Sequence, residues 1–377
     1  MESTELHQDL RWPAVRGPSG SLLRGFILLA SLGVLACDGG AAPPRVTTPS
    51  QPPGAPGLLP VQAAPSLGGR WLVIEGNTLR VLEAGKPEPG GTILHTFPQG
   101  SFAASLAASP DGRMLAYTLF SPPRDLREAS PGNELYVAEA DGQSPRRLLA
   151  SGSPQSSVAD PVWAADGSAL YFTYQENRFE GNRYLETISE IQRVRLDGSG
   201  RESVVAGAFS PAVSPDGESL VYLSTPRDAS VAGAAAQLWV RPIAGGAARQ
   251  MLQPGFAALL APRFRPDGQG VAFAAVGGLA LRWQDLPWFV RLPRWFGPRV
   301  AEAAHGVPWD LWSVNVDGSG LRRLTEVGED SPVPAWSPDG RWIAFTGEFG
   351  LYLVDAEGGE VRRVSDRLVA PGLAWLP

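Results

Sequence analysis

The sequence predicts an all-β fold, a six-bladed β-propeller of four-stranded antiparallel blades. Two observations carry that expectation. First, five times between Ser109 and Gly340 an apolar strand enters a turn built on Asp-Gly and leaves it as a second apolar strand. The turns are Ser109-Pro110-Asp111-Gly112, Ala164-Ala165-Asp166-Gly167, Ser214-Pro215-Asp216-Gly217, Arg265-Pro266-Asp267-Gly268 and Ser337-Pro338-Asp339-Gly340. A self-similar period of roughly 50 residues marks a repeat architecture. Each phrase is a turn with a mechanism, because Pro presets φ and Gly accepts φ > 0. Second, each turn opens a unit of four short strands, the composition of a propeller blade, and the two ends of the chain supply the pieces of a sixth.

In chain order, residues 1–36 read as a leader. The apolar run after Arg24 extends only to Ala36, too short to span a bilayer and suited to a signal-peptide core. Residues 37–66 read as a tether: positions 38–66 hold eight prolines, four glycines and no strand pattern, the composition of a semi-extended linker. The propeller is expected over 67–377. Its N-terminal fragment, Gly69 to Ile74, is matched to Gly340 to Phe345 and continues through Leu79 to Leu82 and Thr92 to Leu94. Five full blades follow. The outer strand pairs lie at Glu134 to Leu149, Ile191 to Val205, Leu238 to Leu252, Leu311 to Thr325 and Leu351 to Val364. The chain ends on Pro371 to Pro377, which matches Pro332 to Pro338 and stops short of the turn. Joined, the two end fragments make one blade, with the last strand of the chain innermost, and closure of this kind removes an open sheet edge.

The phrase Pro334-Ala335-Trp336-Ser337-Pro338-Asp339-Gly340-Arg341-Trp342-Ile343-Ala344-Phe345, followed by Leu351-Tyr352-Leu353-Val354-Asp355, resembles the TolB-type WD-like propeller repeat. The resemblance covers residues 67–377 and implies the fold. It implies little about activity, since such repeats occur in periplasmic scaffolds and in the propeller domains of some peptidases. TolB carries an α/β domain ahead of its propeller, whereas residues 38–66 leave no room for one. Likewise Val34-Leu35-Ala36-Cys37 resembles the lipobox of bacterial lipoproteins, in which the cysteine is diacylated. Cys37 is the only cysteine in the chain and so has no disulfide partner. The expected location is the cell envelope, with the lipid on the outer side of the cytoplasmic membrane or in the outer membrane.

Composition narrows the function classes. The net charge of −6 supplies no basic footprint for nucleic acid. Among the cations 31 are Arg and one is Lys86, an imbalance that matches GC-rich coding as well as anion recognition. His95 falls in a strand, His305 lies in a loop without an evident carboxylate partner, and with Cys37 they make no zinc site. There is no G-x-S-x-G elbow. No cofactor and no metal site are expected, and the chain reads as a monomer.

The four long connections, Phe120 to Asn133, Tyr174 to Glu190, Ser224 to Ala236 and Ala275 to Asp310, all join second to third strands. In a meander they open on one face of the ring. Residues 174–190 are expected to form a protruding hairpin turning at Glu180 to Arg183. The segment from Ala275 to Asp310 carries Trp283, Trp288, Phe289, Arg291, Arg294, Trp295 and Phe296. Trp and Arg are enriched at binding hot spots, so these seven are the candidate binding residues. The same side chains also suit a loop that folds back on the ring, or contact with a bilayer surface.

The expected function is a membrane-tethered binding scaffold for an envelope protein or peptide, working through this face. The alternative is a carboxylate-dependent hydrolase or lyase acting on glycans or peptides in the central channel. A convergent cluster of Asp, Glu, Arg and Tyr in the channel would favour the enzyme, and small apolar and Pro residues the scaffold. Leu106-Ala107-Ala108, Pro161-Val162-Trp163, Pro211-Ala212-Val213 and Pro334-Ala335-Trp336 are of the second kind, interrupted by Arg263.

Overall fold

The computed structural model describes residues 59–377 apart from 63, 66, 87–90, 122–131, 182, 226–235, 254, 278–307 and 368–371. Cys37 and all seven candidate binding residues between Trp283 and Phe296 lie outside the described residues.

The described chain forms six four-stranded antiparallel sheets. Blade 1 is split across the termini: β1 (Arg70–Glu75), β2 (Thr78–Glu83) and β3 (Thr92–Thr96) come from the front of the chain, and β24 (Leu373–Leu376) from its end. Blade 2 holds β4 (Phe102–Ala108), β5 (Met114–Phe120), β6 (Glu134–Glu139) and β7 (Arg146–Leu149). Blade 3 holds β8 (Ser156–Trp163), β9 (Ala169–Glu180), β10 (Arg183–Arg195) and β11 (Glu202–Ala206). Blade 4 holds β12 (Ala208–Val213), β13 (Ser219–Ser224), β14 (Gln237–Pro242) and β15 (Arg249–Gln250). Blade 5 holds β16 (Phe256–Phe264), β17 (Gly270–Gly277), β18 (Trp309–Asn315) and β19 (Arg322–Arg323). Blade 6 holds β20 (Val333–Trp336), β21 (Trp342–Gly347), β22 (Gly350–Asp355) and β23 (Arg362–Ser365). The first strands of successive blades adjoin one another around a central channel, and β24 touches both β4 and β20.

The turn chemistry accounts for the regular spacing. In three blades the Ser at the turn donates its hydroxyl to the Asp carboxylate two residues on and accepts the backbone N–H that starts the next strand. The Gly after each Asp has φ between 67° and 75°, which glycine adopts without the Cβ penalty. Each space between blades holds its own apolar cluster, so the core is six small cores in a ring. The Trp of the repeat ties adjacent blades at the channel. Trp163 Nε1 donates to Ala107 O and Trp336 Nε1 to Arg263 O, each at 3.2 Å, and both acceptors lie on the inner strand of the preceding blade.

Closure follows the expected pairing: Leu373, Ala374, Trp375 and Leu376 lie opposite Val73, Leu72, Trp71 and Arg70. The match of Gly69–Ile74 to Gly340–Phe345 is off by one residue. Ile343 and Phe345 face blade 5, whereas Ala344 faces blade 1. In blade 1 it is Trp71 and Val73 that face the preceding blade, so Trp71 takes the place of Ile343 rather than that of Trp342. A one-residue slip in a strand swaps its faces. It puts Trp71 wholly inside, edge-on to Trp375 at 5.3 Å, while Trp342 sits at a strand mouth under Arg362.

Ahead of β1 the chain is already held. Gln62 N donates to Arg363 O at 2.8 Å, and the Arg363 guanidinium reaches Leu59 O at 3.3 Å. Residues 59–62 thereby cover part of the outer edge of blade 6.

Candidate functional site

All four long connections leave from the ends of second strands, on the face opposite the Asp-Gly turns. The expected hairpin is present: β9 and β10 stay paired out to Glu180 opposite Arg183. At its tip Phe179 meets Tyr184 edge-on at 5.8 Å, and Leu185 is 49% exposed. On the neighbouring blade Phe102, 43% exposed, stacks on Phe120. The fourth connection is shorter than the sequence suggested. β17 runs to Gly277, and Trp309 is the first residue of β18, 3% exposed in the core between blades 5 and 6. Trp309 is therefore a core residue.

The base of that connection is anchored by two carboxylates. Asp310 accepts from Arg323 Nη2 at 2.6 Å, Thr325 Oγ1 at 3.2 Å, Val327 N at 2.9 Å and Gly328 N at 3.3 Å. This holds the crossing to blade 6 and with it Glu329, whose carbonyl accepts from Trp309 N. The Glu329 side chain is buried. It accepts from Glu348 N through Oε1 and leaves Oε2 without a partner. Burial pushes its carboxyl up to about 7.

Inside the channel the inner strands carry only two charged side chains, Asp160 and Arg263. In blades 3, 4 and 5 the sixth residue before the turn Asp precedes a proline: Asp160-Pro161, Ser210-Pro211 and Ala261-Pro262. Each of these residues adopts a left-handed φ, 49°, 48° and 49°, and each sits at a break in the ladder to the second strand. A bulge re-aims the side chains beside it, and left-handed backbone at a residue other than Gly is tolerated only where its surroundings enforce it. Here they do. Ser210 N donates to Thr173 Oγ1 of blade 3 at 2.9 Å, and Asp160 N to Ser105 Oγ of blade 2 at 3.3 Å. Ser210 Oγ donates to Asp160 Oδ2 at 2.8 Å. Ser105, Asp160 and Ser210 thus make a hydrogen-bonded belt across three blades.

Arg263 continues that belt on blade 5. Its Nη1 donates to Pro262 O at 2.8 Å, and among the described residues no carboxylate lies within 4.0 Å of it. Burial lowers its proton affinity and the Asp160 carboxylate raises it. Asp160 is on blade 3 and Arg263 on blade 5, so this attraction acts across blade 4. Against the sequence expectation of a wall of small apolar residues, Arg263 is therefore joined by a polar arc. Sequence reasoning missed Asp160 and Ser210, although the signal was an X-Pro pair at one fixed offset in three consecutive repeats.

The Asp residues of the turns have structural work. Hydrogen bonds from Ser or Arg side chains and from backbone N–H groups hold Asp111, Asp166, Asp216, Asp267 and Asp339 below the usual carboxylate range. Among the described residues no three His, Cys, Asp or Glu side chains gather as a metal site would require. The arc can donate and accept hydrogen bonds and can attract an anion. It lacks the second carboxylate of a paired acid–base machinery.

Comparison with known proteins agrees with this architecture. No protein-family model matches the chain. The uncharacterized peptidase YuxL of Bacillus subtilis is 26% identical over 203 residues, 50% of this chain and 29% of YuxL. The Tol-Pal system protein TolB of Thioalkalivibrio sulfidiphilus is 39% identical over 62 residues, 16% of this chain and 13% of TolB. The chain thus spans less than a third of the length of these curated relatives. The crystal structure of TolB from Acinetobacter baumannii superposes with a TM-score of 0.53 at 15% identity, covering 82% of this chain and 67% of that one. The likeness is one of fold, and the chain's own fold is a six-bladed β-propeller.

Proposed function

We propose that the protein is a binding scaffold of the cell envelope, tethered to a membrane through a lipid on Cys37. It receives a protein or peptide on the face that carries the four long connections, and it acts as a monomer without a cofactor. The observation that carries this reading is the asymmetry of the ring. One face is closed by short Asp-Gly turns whose polar groups satisfy one another. The other presents long connections and exposed Phe102, Phe179 and Leu185, and between the faces the channel carries the polar arc from Ser105 to Arg263. Aromatic side chains around a polar centre suit a binding face. A relative named as part of the Tol-Pal system supports an envelope partner.

The second reading is hydrolysis of a peptide or glycan in the channel, favoured by the likeness to YuxL, which is named a peptidase. Among the described residues Asp160 is the one carboxylate on the inner strands, which weakens it.

Crosslinking capture from envelope extracts tests the choice. The full chain is compared with a chain in which residues 287–298 are replaced by a short Gly-Ser loop, and with Arg341→Glu on the turn face. A partner held by the full chain and by Arg341→Glu, and lost with the loop replacement, is the expected result. Capture abolished by Arg341→Glu and untouched by the loop replacement would move the site to the other face.

A further inference from the structure

The scaffold reading leaves open what the channel recognises. We propose that the channel receives a carboxylate of the bound peptide, with Arg263 as the anion anchor and Asp160 and Ser210 as the groups that orient the adjoining backbone. The inference rests on the binding-scaffold reading and sharpens it.

Three observations support the assignment. Arg263 is charged and partly buried on the innermost strand of blade 5, yet it spends one N–H on the carbonyl of its own neighbour and has no ion-pair partner among the described residues. Guanidinium offers five N–H donors in a planar fork that matches a carboxylate, and the pairing is strongest where water is excluded. Holding such a group without a partner costs free energy that a bound anion would offset. Second, Asp160 does not neutralise it at close range: the Asp160 carboxylate is engaged by Ser210 Oγ. It retains acceptor capacity for a peptide N–H, so cation and acceptor present different chemistry to one ligand. Third, the wall around them is built at the expense of backbone strain. Asp160, Ser210 and Ala261 adopt left-handed φ in succession, and Ala261 has no polar side chain to compensate. In blade 5 the break in the ladder falls between Leu260 and Arg263, so the bulge sets where the Arg263 side chain is aimed.

The carboxylate could come from a chain terminus or from an acidic side chain. Trp336 supplies the reporter, since its indole N–H donates to Arg263 O at 3.2 Å. The full-length chain is titrated with N-acetyl-glycylglycine, which presents a C-terminal carboxylate, and with N-acetylglutamate α-amide, which presents a side-chain one. Acetamide is the neutral control, and the Trp336 indole resonance is followed by NMR. The expected result is a saturable shift with at least one carboxylate and none with acetamide. The response should weaken about tenfold in Arg263→Lys, as for loss of a charge-assisted fork, and vanish in Arg263→Gln. The tighter of the two carboxylates identifies the source. Absence of a saturable response in the native chain overturns the proposal, as does an Arg263→Gln chain that responds like the native one. Should Arg263→Gln fail to fold, the native chain and Arg263→Lys decide the matter. Partner capture without a carboxylate response would sink this inference and leave the scaffold standing. A saturable site in a chain that captures nothing would do the reverse.

Discussion

Deleting residues 372–377 should unfold the whole ring and not merely fray one blade. The deletion removes β24, the innermost strand of blade 1, and with it the four-residue ladder that joins the end of the chain to β1. Leu373 and Leu376 are each 3% exposed, and burying such side chains is worth about 2 kcal/mol apiece. The edge-on contact of Trp375 with Trp71 adds about 1 kcal/mol. With Ala374 and four residues of ladder, the loss is on the order of 6 kcal/mol, comparable with the entire stability of a typical domain. The deletion also bares β1 as an open edge beside the channel, which invites association. Urea unfolding followed by Trp fluorescence and near-UV circular dichroism measures the effect, with size-exclusion chromatography to detect association. Leu376→Ala should fall between native and truncated chains, losing roughly 2–4 kcal/mol. A truncated chain that stays monomeric and unfolds in one transition at the native midpoint would refute the closure argument.

Two further outcomes follow from the carboxylates beneath the longest connection. Glu329 titrates near 7 when folded against 4.5 ordinarily, so the folded chain binds the extra proton. Its stabilising contribution is complete below about pH 4.5 and is lost as pH rises through about 7, a swing of roughly 3 kcal/mol. Glu329→Gln should flatten the urea midpoint between about pH 5 and 8 and exceed the native chain at the alkaline end, and an unchanged pH slope would contradict the assignment. Asp310→Ala removes the acceptor for Arg323, Thr325, Val327 and Gly328 and should cost about 3 kcal/mol of stability. Hydrogen exchange should quicken at Val327 and Gly328 before the rest of blade 5, and uniform exchange would show that the anchor is not local.

Much of the fold was legible because the repeat advertises itself through local chemistry. An Asp-Gly turn needs its Gly for a positive φ, and that need recurs at Gly112, Gly167, Gly217, Gly268 and Gly340. Closure was legible because Leu373-Ala374-Trp375 repeats Pro334-Ala335-Trp336. What escaped had no local signature. Trp71 was set against Trp342 by identity, whereas the register is fixed by which face of β1 meets blade 6, a tertiary fact. The channel arc escaped for a similar reason. Asp160 and Ser210 are ordinary residues before prolines. They become a site only when three bulges on separate strands turn toward one axis, and when Asp160 and Arg263 come into each other's field across blade 4. Trp309 and Asp310 read as loop because they directly follow Pro308 and Asp310 interrupts the apolar run at the strand start. Their pairing with Val276 and Ala275 depends on β17.

In the proposed scaffold a partner contacts the face of the long connections and the channel groups around Asp160, Ser210 and Arg263. Hydrogen–deuterium exchange on the full chain, with and without its captured partner, reads both contacts at once. The account predicts slowed exchange in the amides of β8, β12 and β16 around Asp160, Ser210 and Ala261, and along the hairpin from Tyr174 to Glu190. Protection confined to the Asp-Gly turns on the opposite face, with those strands unchanged, would contradict it.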